Sequence, residues 1–588
     1  MRTKKVLQAF LTLALLAAVL FIAACGGGTT TEPADTGTPA DTATPTPTPD
    51  APEPTEAPEP TAALNRDGIL VFGGTGWAGV FNSIMSNNLY DTMVNDLVFE
   101  GLISNDAAGN PIPRVATHWE ITNNNLTYTF FLDPRATFSD GSPLTAHDVA
   151  FTFTTMAHPL YDGPRFGDVQ DIIGAVEFRD GLADSVEGIV IIDDHTIQFN
   201  HTQTGPQTIW NFGYGILSRE YYAFEAWEDF MALIDRPFGS GPFVFVDYMF
   251  QQWIEFERNE NHWNPDVEIN LAGIIMREVP TESIVPALLA GEIHVGEPSV
   301  TVDNHAALEG AAHIRDNLFV ANTLRHVTFN TLRPHLSDHR VRQALAYAFD
   351  TEAYIIADTG SPYLRSVGNS PFSPVSWAFP GVDALNNYDF NMERAHELMD
   401  EAGWLMADNG FRYRDGERFS LNWLIYHEAA WPGIITGMAY HTWGELGVEL
   451  DIQMMDFTTV SDMTTGMPPG EKQFDIFQMG WVMAIDPDLT GGLWDGSDGQ
   501  NVAGTFFNSG FRDQRLIDLI DQGATEFDHE ERIRIYHEIA ALTNYYLPVW
   551  VLSNGMNLWG FSNDVHNLHN GAFMRWSQAI WQQGTWLE

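Results

Sequence analysis

The sequence predicts an α/β protein of two or three domains, and three observations carry that prediction. Roughly 525 residues follow Leu64, more than one hydrophobic core accommodates. Strand patterns and capped helix patterns both recur along that body. The stretch Phe474 to Asp488, FDIFQMGWVMAIDPD, reads as a short buried strand (Phe474, Ile476, Phe477) that turns outward at Gly480-Trp481 and ends in Asp486-Pro487-Asp488. In open α/β sheets ligands bind where strands release such loops. A Trp beside a Gly also sets a flat apolar face next to backbone amides. This loop is expected to form half of a ligand cleft.

The N-terminus carries a positive region (Arg2, Lys4, Lys5), an apolar run from Val6 to Ala24, and Ile22-Ala23-Ala24-Cys25 before three glycines. That is a secretory pattern, and Cys25, the single cysteine, stands where a bacterial lipoprotein signal places its lipidated residue. An uncleaved membrane anchor is the alternative; both readings put the body outside the cytoplasm. With Cys25 acylated, neither intrachain disulfides nor thiol catalysis remain. Residues 25–63 read as a Thr/Pro/acidic disordered tether, too poor in apolar residues for a core. Its prolines favour extended polyproline II, giving a reach on the order of 100 Å.

The formal net charge is −50, and loss of Arg2, Lys4 and Lys5 with the signal peptide leaves about −53. Such a surface repels nucleic acid. Beyond the signal peptide only Lys472 is a lysine; the other cations are arginines, which keep their charge at high pH and suit an alkaline or salty habitat.

Along the body, Ile69 to Phe72 reads as a strand followed by Gly74-Thr75-Gly76-Trp77-Ala78-Gly79. This matches a dinucleotide fingerprint in letters, but the Asn-rich Val80 to Tyr90 offers no helix at the third glycine, so a plain glycine turn is expected. Asn123-Asn124-Asn125 is turn chemistry before a strand with Leu126, Tyr128, Phe130 and Leu132 facing the core. Thr145 is a helix N-cap. Ser337 can cap a helix burying Val341, Ala344, Leu345 and Ala348, with Arg340 and Arg342 solvated or salt-bridged. Asn391 can cap a helix that Gly403 stops. His335 and His339 lack the ligands to complete a zinc set, so no metal is expected. No nucleophile elbow, P-loop or complete H-E-x-x-H occurs, and paired carboxylates carry no information in so acidic a chain.

VFEGLIS, GNPIPRVATHWE and LTYTFFLDPRATFSDGSPLTAHDVAFTF are followed in order by IDDHTIQF, GSGPFVF, FERNENHW, HVTFNTLRPHLSDHRVRQALAYAFD and YDFNMERAHELMDEAGW. With the Phe474 stretch and a tail from Arg512 to Trp559, this series resembles the family 5 solute-binding proteins of ABC importers, the oligopeptide, dipeptide and nickel binders. The resemblance implies a two-lobed, periplasmic-binding-protein-like (type II) α/β clamshell with an extra subdomain on lobe one. Lobe one would comprise 64–99, 209–322 and 545–588, the extra subdomain 100–208, and lobe two 323–544, after a signal peptide over 1–24.

The implied function is capture of peptides in an interlobe cleft by a lipid-anchored, extracytoplasmic monomer that delivers them to the transmembrane subunits of an ABC permease, without catalysis or cofactor. Trp481 matches the family's cleft Trp, Gly480 and Met479 would offer backbone groups to an extended peptide, and Phe457 falls at a second cleft aromatic. Asn87, Asn88 and Tyr90 lie where the opposing lobe's first ligand loop falls. Packing remains the alternative role for each. Peptide binders of the family carry an Asp three residues after that Trp to pair with the peptide's α-amine; here it is Ala484. Asp486 substitutes if the loop is rearranged. Otherwise the ligand lacks an α-amine, and an oligosaccharide becomes the alternative. A reading from another class is an extracellular hydrolase.

Overall fold

The computed structural model describes residues 68–86, 88–427, 429–464, 473–487 and 513–588. Cys25 with the whole tether, Asn87 and Asp488 lie outside the described residues. The main strands in chain order are β1 (Ile69–Gly74), β2 (Ala116–Thr122), β3 (Thr127–Leu132), β4 (Ile189–Asp193), β5 (Thr196–Asn200), β6 (Phe243–Met249) and β7 (Trp253–Arg258). There follow β8 (Gly273–Glu278), β9 (Val295–Gly296), β10 (Ile314–Phe329), β11 (Ser420–Tyr426), β12 (Glu449–Met455), β13 (Ile476–Val482) and β14 (Val549–Ser562). Four of them make a separate antiparallel sheet in the order β2-β3-β5-β4. The others form one mixed sheet in the order β12-β11-β13-β10-β14-β9-β1-β8-β7-β6.

That sheet serves two large cores, in keeping with two lobes, and a smaller apolar cluster around Val71, Ile293 and Leu558. Tyr128, Phe130 and Phe199 of the smaller sheet share one apolar cluster with Phe72 of β1, Met276 of β8, and Met93 and Leu97 of helix α1 (Leu89–Val98). The segment expected as an extra subdomain therefore adds its sheet to the first lobe's core rather than building its own. Trp423, Trp443, Phe477 and Trp550 belong to the second cluster. So do Leu547 and Val549 to Leu552. These residues lie past the boundary expected at 544.

Local expectations hold where side chains act on their own backbone. Asn123, Asn124 and Asn125 take φ of 53°, 53° and 69°. Thr145 caps Ala146–Met156 in a reciprocal box with Asp148. Asn391 caps Met392–Glu401, and Gly403 follows at φ 82°. The helix His339–Tyr347 is capped by Asp338, not Ser337, whose hydroxyl donates to the Pro334 carbonyl instead. Val341, Ala344, Leu345 and Ala348 are fully buried, as expected. Arg342 is not solvated: it is fully buried and donates to the carbonyls of Leu336, Ser337, Tyr546 and Leu547. Burial pulls its pKa down to about 9. Among the described residues no group of three metal-ligating side chains converges, and no helix is long and apolar enough to cross a membrane.

Two strands, β10 and β14, pass from one core to the other side by side. Their pairing runs from Ile314–Ser562 to Val320–Met556, breaks, and resumes at Leu324–Asn554. Ala321, Asn322 and Thr323 face Gly555 in the break. A Cβ on Gly555 would lie 2.0 Å from Thr323 Oγ1. Because a β-branched Thr has little rotamer freedom, the clash falls on the backbone. Gly555→Ala is expected to lower stability by about 1–3 kcal/mol. Adding Thr323→Ala, which removes the clashing hydroxyl, should restore most of the loss, as urea unfolding of the single and double variants would read out.

Candidate functional site

Chemistry collects where parallel strands end. β1 pairs in parallel with β8 and β9, so their carboxyl ends, Gly74, Glu278 and Gly296, release loops at one edge. The glycine-rich loop after β1 is the turn expected, with Gly76 and Gly79 at φ 96° and 84°. Its Ala78, Gly79 and Val80 N–H groups donate to the Asp91 carboxylate at 3.0, 3.3 and 3.2 Å. The chain's own carboxylate occupies the place a phosphate would take.

A cavity of about 1210 Å³ lies beside the strand break, lined by both lobes. Ala321, Asn322 and Thr323 floor it. Lobe one contributes Glu100, Arg114, Glu297, Trp559 and Trp581; lobe two contributes Val482 to Asp486. The lobe-two loop is fastened at each end. Asn322 Nδ2 donates to the carbonyls of Met483 and Ala484, both at 3.0 Å, and Met483 N–H donates back to Asn322 at 2.9 Å. Arg532, on helix α2 (His529–Tyr546), grips Asp486 with two hydrogen bonds of 2.9 and 2.6 Å, and the Tyr536 hydroxyl donates to Pro487 at 2.7 Å.

Of the expected ligand residues that are described, Asp486 alone lines this cavity. Its carboxylate is already paired, so a ligand amine would have to compete with a buried guanidinium. Trp481 is partly buried against the second core, opposite Leu324 of β10. Met479 is buried and Gly480 exposed on the same strand. β13 pairs with β11 only at Ile476 and Phe477, so among the described residues Gln478 to Val482 are laddered on the β10 side alone. Phe457 is exposed and stands edge-on to Tyr426 at 5.3 Å. Asn88 caps α1 and donates to Gly76 O at 3.0 Å. Tyr90 meets Trp77 edge-on at 6.4 Å.

The cavity's arginines are engaged. Arg114 pairs with Glu100 and stacks 3.5 Å over Trp581. Burial alone would raise the pKa of Glu100. Arg114, His262 and Trp263 together hold it below the ordinary carboxylate range. Arg575 grips Asp96 with two bonds of 2.8 Å. Arg165 donates to Ser86 O at 2.7 Å.

Sequence reasoning missed Asn322, Arg532 and Glu297. Nothing local marks the first two, whose partners are remote in the chain. Glu297 had a faint signal, an acid directly after the short apolar strand Val295–Gly296. It lines the cavity, touches its open space, and is otherwise surrounded by protein. Burial pushes its pKa up to about 7. Burial, with the charges of Glu297 and Glu278, pushes Tyr90 to about 12.

Comparisons with known proteins converge on one family. A model described as bacterial extracellular solute-binding proteins, family 5 Middle, matches residues 110–502. The oligopeptide-binding protein AppA of Bacillus subtilis (strain 168) is 23% identical over 439 residues, covering 72% of this chain and 75% of that protein. Heme-binding protein A of Haemophilus influenzae is 27% identical over 462 residues, covering 75% and 78%. The solved structure of Bacillus subtilis AppA in complex with a nonapeptide matches the fold with a TM-score of 0.71 at 20% identity, covering 89% of this chain and 99% of that one.

Two outcomes test the site's electrostatics. Arg532→Met should destabilise the protein by about 3–5 kcal/mol by stranding Asp486, whereas Arg532→Met with Asp486→Leu should recover much of it, measured by urea unfolding. For Glu297 the folded pKa lies above the unfolded value near 4.5, so the folded state holds more protons between about 4.5 and 7 and loses stability as pH rises through that window. Glu297→Gln should therefore raise Tm at pH 8 and leave it unchanged at pH 4.

Proposed function

The chain belongs to the bacterial extracellular solute-binding proteins of family 5, and from that premise we propose that it captures extended peptides between its lobes for an ABC importer. One observation carries the peptide reading. Gln478 to Val482 of β13 keep one strand edge without a ladder partner among the described residues, and this half-paired strand leads into the wall of the interlobe cavity. An extended peptide laid along that edge would supply the missing main-chain hydrogen bonds, whatever its side chains. Trp481, Met479 and Gly480 lie on the same segment, and Phe457, Asn88 and Tyr90 are offered as outer contacts. The names of relatives that bind oligopeptides support the same class of ligand.

On this reading the protein is a non-enzymatic monomer, held to the outer face of the membrane by a lipid on Cys25 and standing off on residues 25–63. Ligand binding biases an open–closed equilibrium of the lobes, and the closed form is presented to the permease.

Native mass spectrometry of the protein as purified, followed by thermal shift, tests this. Bound peptide should be seen. Added peptide at a hundredfold excess over Kd should stabilise the fold by about 2.7 kcal/mol. Trp481→Ala should shrink that shift. A shift with oligosaccharides alone would overturn the peptide reading, and turnover of either ligand would overturn the receptor class.

A further inference from the structure

We propose that Glu297 receives a protonated amine of the ligand, so that the charge which recognises it sits on lobe one rather than on the lobe-two loop. This inference rests on the peptide-capture reading above and names the group that the cavity selects.

Among the described residues seven carboxylates line the cavity, and six have partners. Asp96, Glu100 and Asp486 are paired with Arg575, Arg114 and Arg532. Asp168 accepts the Tyr214 hydroxyl at 2.7 Å, Asp171 accepts the Gln203 amide at 3.0 Å, and Asp521 is likewise engaged. Glu297 has neither hydrogen bond nor ion pair among the described residues. No lining arginine among the described residues is spare to neutralise it, because Arg165 is spent on the Ser86 carbonyl and the Tyr214 ring. An unpaired carboxylate among protein atoms costs free energy that nothing within the chain offsets.

Its position fits a ligand contact. Glu297 is the first residue after β9, at the carboxyl end of a parallel strand, where α/β sheets place their ligands. Glu278 ends the next parallel strand but one, and the Thr75 hydroxyl donates to it. Tyr90 feels the charges of both acids. The field at this edge is therefore negative, with one oxygen pair left to satisfy. A metal ion would need several converging ligands, and none of the described residues form such a group. An ammonium needs only one carboxylate and a few neutral acceptors. Asp486, the alternative acceptor, is already gripped by two Arg532 nitrogens.

The test offers three pools of short peptides to the full-length protein: free, acetylated at the α-amine only, and acetylated at every amine. Bound peptides are read by native mass spectrometry and calorimetry. Wild type should bind the free pool about tenfold or more tighter than the fully acetylated one, a difference of about 1.4 kcal/mol. Glu297→Gln should bind all pools alike, at the fully acetylated level. Glu297→Asp, which keeps the charge, should keep part of the preference. A wild-type preference that survives α-acetylation assigns the amine to a lysyl side chain; one that does not assigns it to the N-terminus. Asp486→Asn should retain the preference. If Glu297→Gln keeps the wild-type discrimination, the inference fails while peptide capture stands. If wild type binds no pool but takes an oligosaccharide, peptide capture fails and the inference with it.

Discussion

The paired strands β10 and β14 are the constraint on which the rest of the molecule depends. Each contributes to both cores, so neither lobe can be repacked without consequence for the other. Their ladder would be a stiff ribbon if it were unbroken. It is broken at two places, and the larger break, where three residues of β10 face one glycine of β14, separates the cores. Gly555 allows Thr323 to lie across it, and Asn322 uses the freed geometry to hold the carbonyls of Met483 and Ala484. The crossing and the lobe-two wall of the cavity are thus one mechanical unit.

The charge of the chain takes on a second meaning once its arginines are placed. The arginine-for-lysine bias was legible as a surface adaptation. Arg342, Arg412 and Arg532 are instead interior brackets. Arg412 serves the carbonyls of Leu446 and Trp404 and the carboxylate of Asp400. A guanidinium can answer several acceptors in one plane, and it stays ionised when partly desolvated; an ammonium does neither as well. In a protein of net charge −50, cations are scarce. Much of the small supply goes to fixing loops and helix ends. Among the described residues that leaves the cavity wall with acids already matched, apart from Glu297.

Legibility followed the range of the interaction. Thr145, Asn391 and the three asparagines at 123–125 act on backbone within a few residues, and their roles could be read directly. The helix of Val341, Ala344 and Leu345 was visible from its spacing, yet its cap fell one residue later and Arg342 faced inward. Which acceptors await a side chain depends on a helix end two hundred residues away. The family resemblance supplied the two lobes, and the fold agrees. It could not supply the fate of Asp486, because Arg532 is 46 residues distant and no local pattern ties them. Nor could it show that the smaller sheet merges with the first core, since its alternating strands would look the same above a core of their own.

The loop from Gly480 to Pro487 was the feature that promised a ligand site, and its geometry divides the work of recognition. Its strand edge can hold a ligand's main chain but cannot distinguish one end of that chain from the other, because main-chain hydrogen bonds repeat every two residues. Direction and register need a fixed charge or a closed end. In this chain Ala484 is neutral and Asp486 is bound to Arg532, so lobe two offers no free charge on that loop. The carboxylate left to set direction stands on lobe one, across the cavity. A ligand held by its backbone on one lobe and by its charge on the other would satisfy both only when the lobes approach. On that arrangement, the group that fixes register also couples binding to closure.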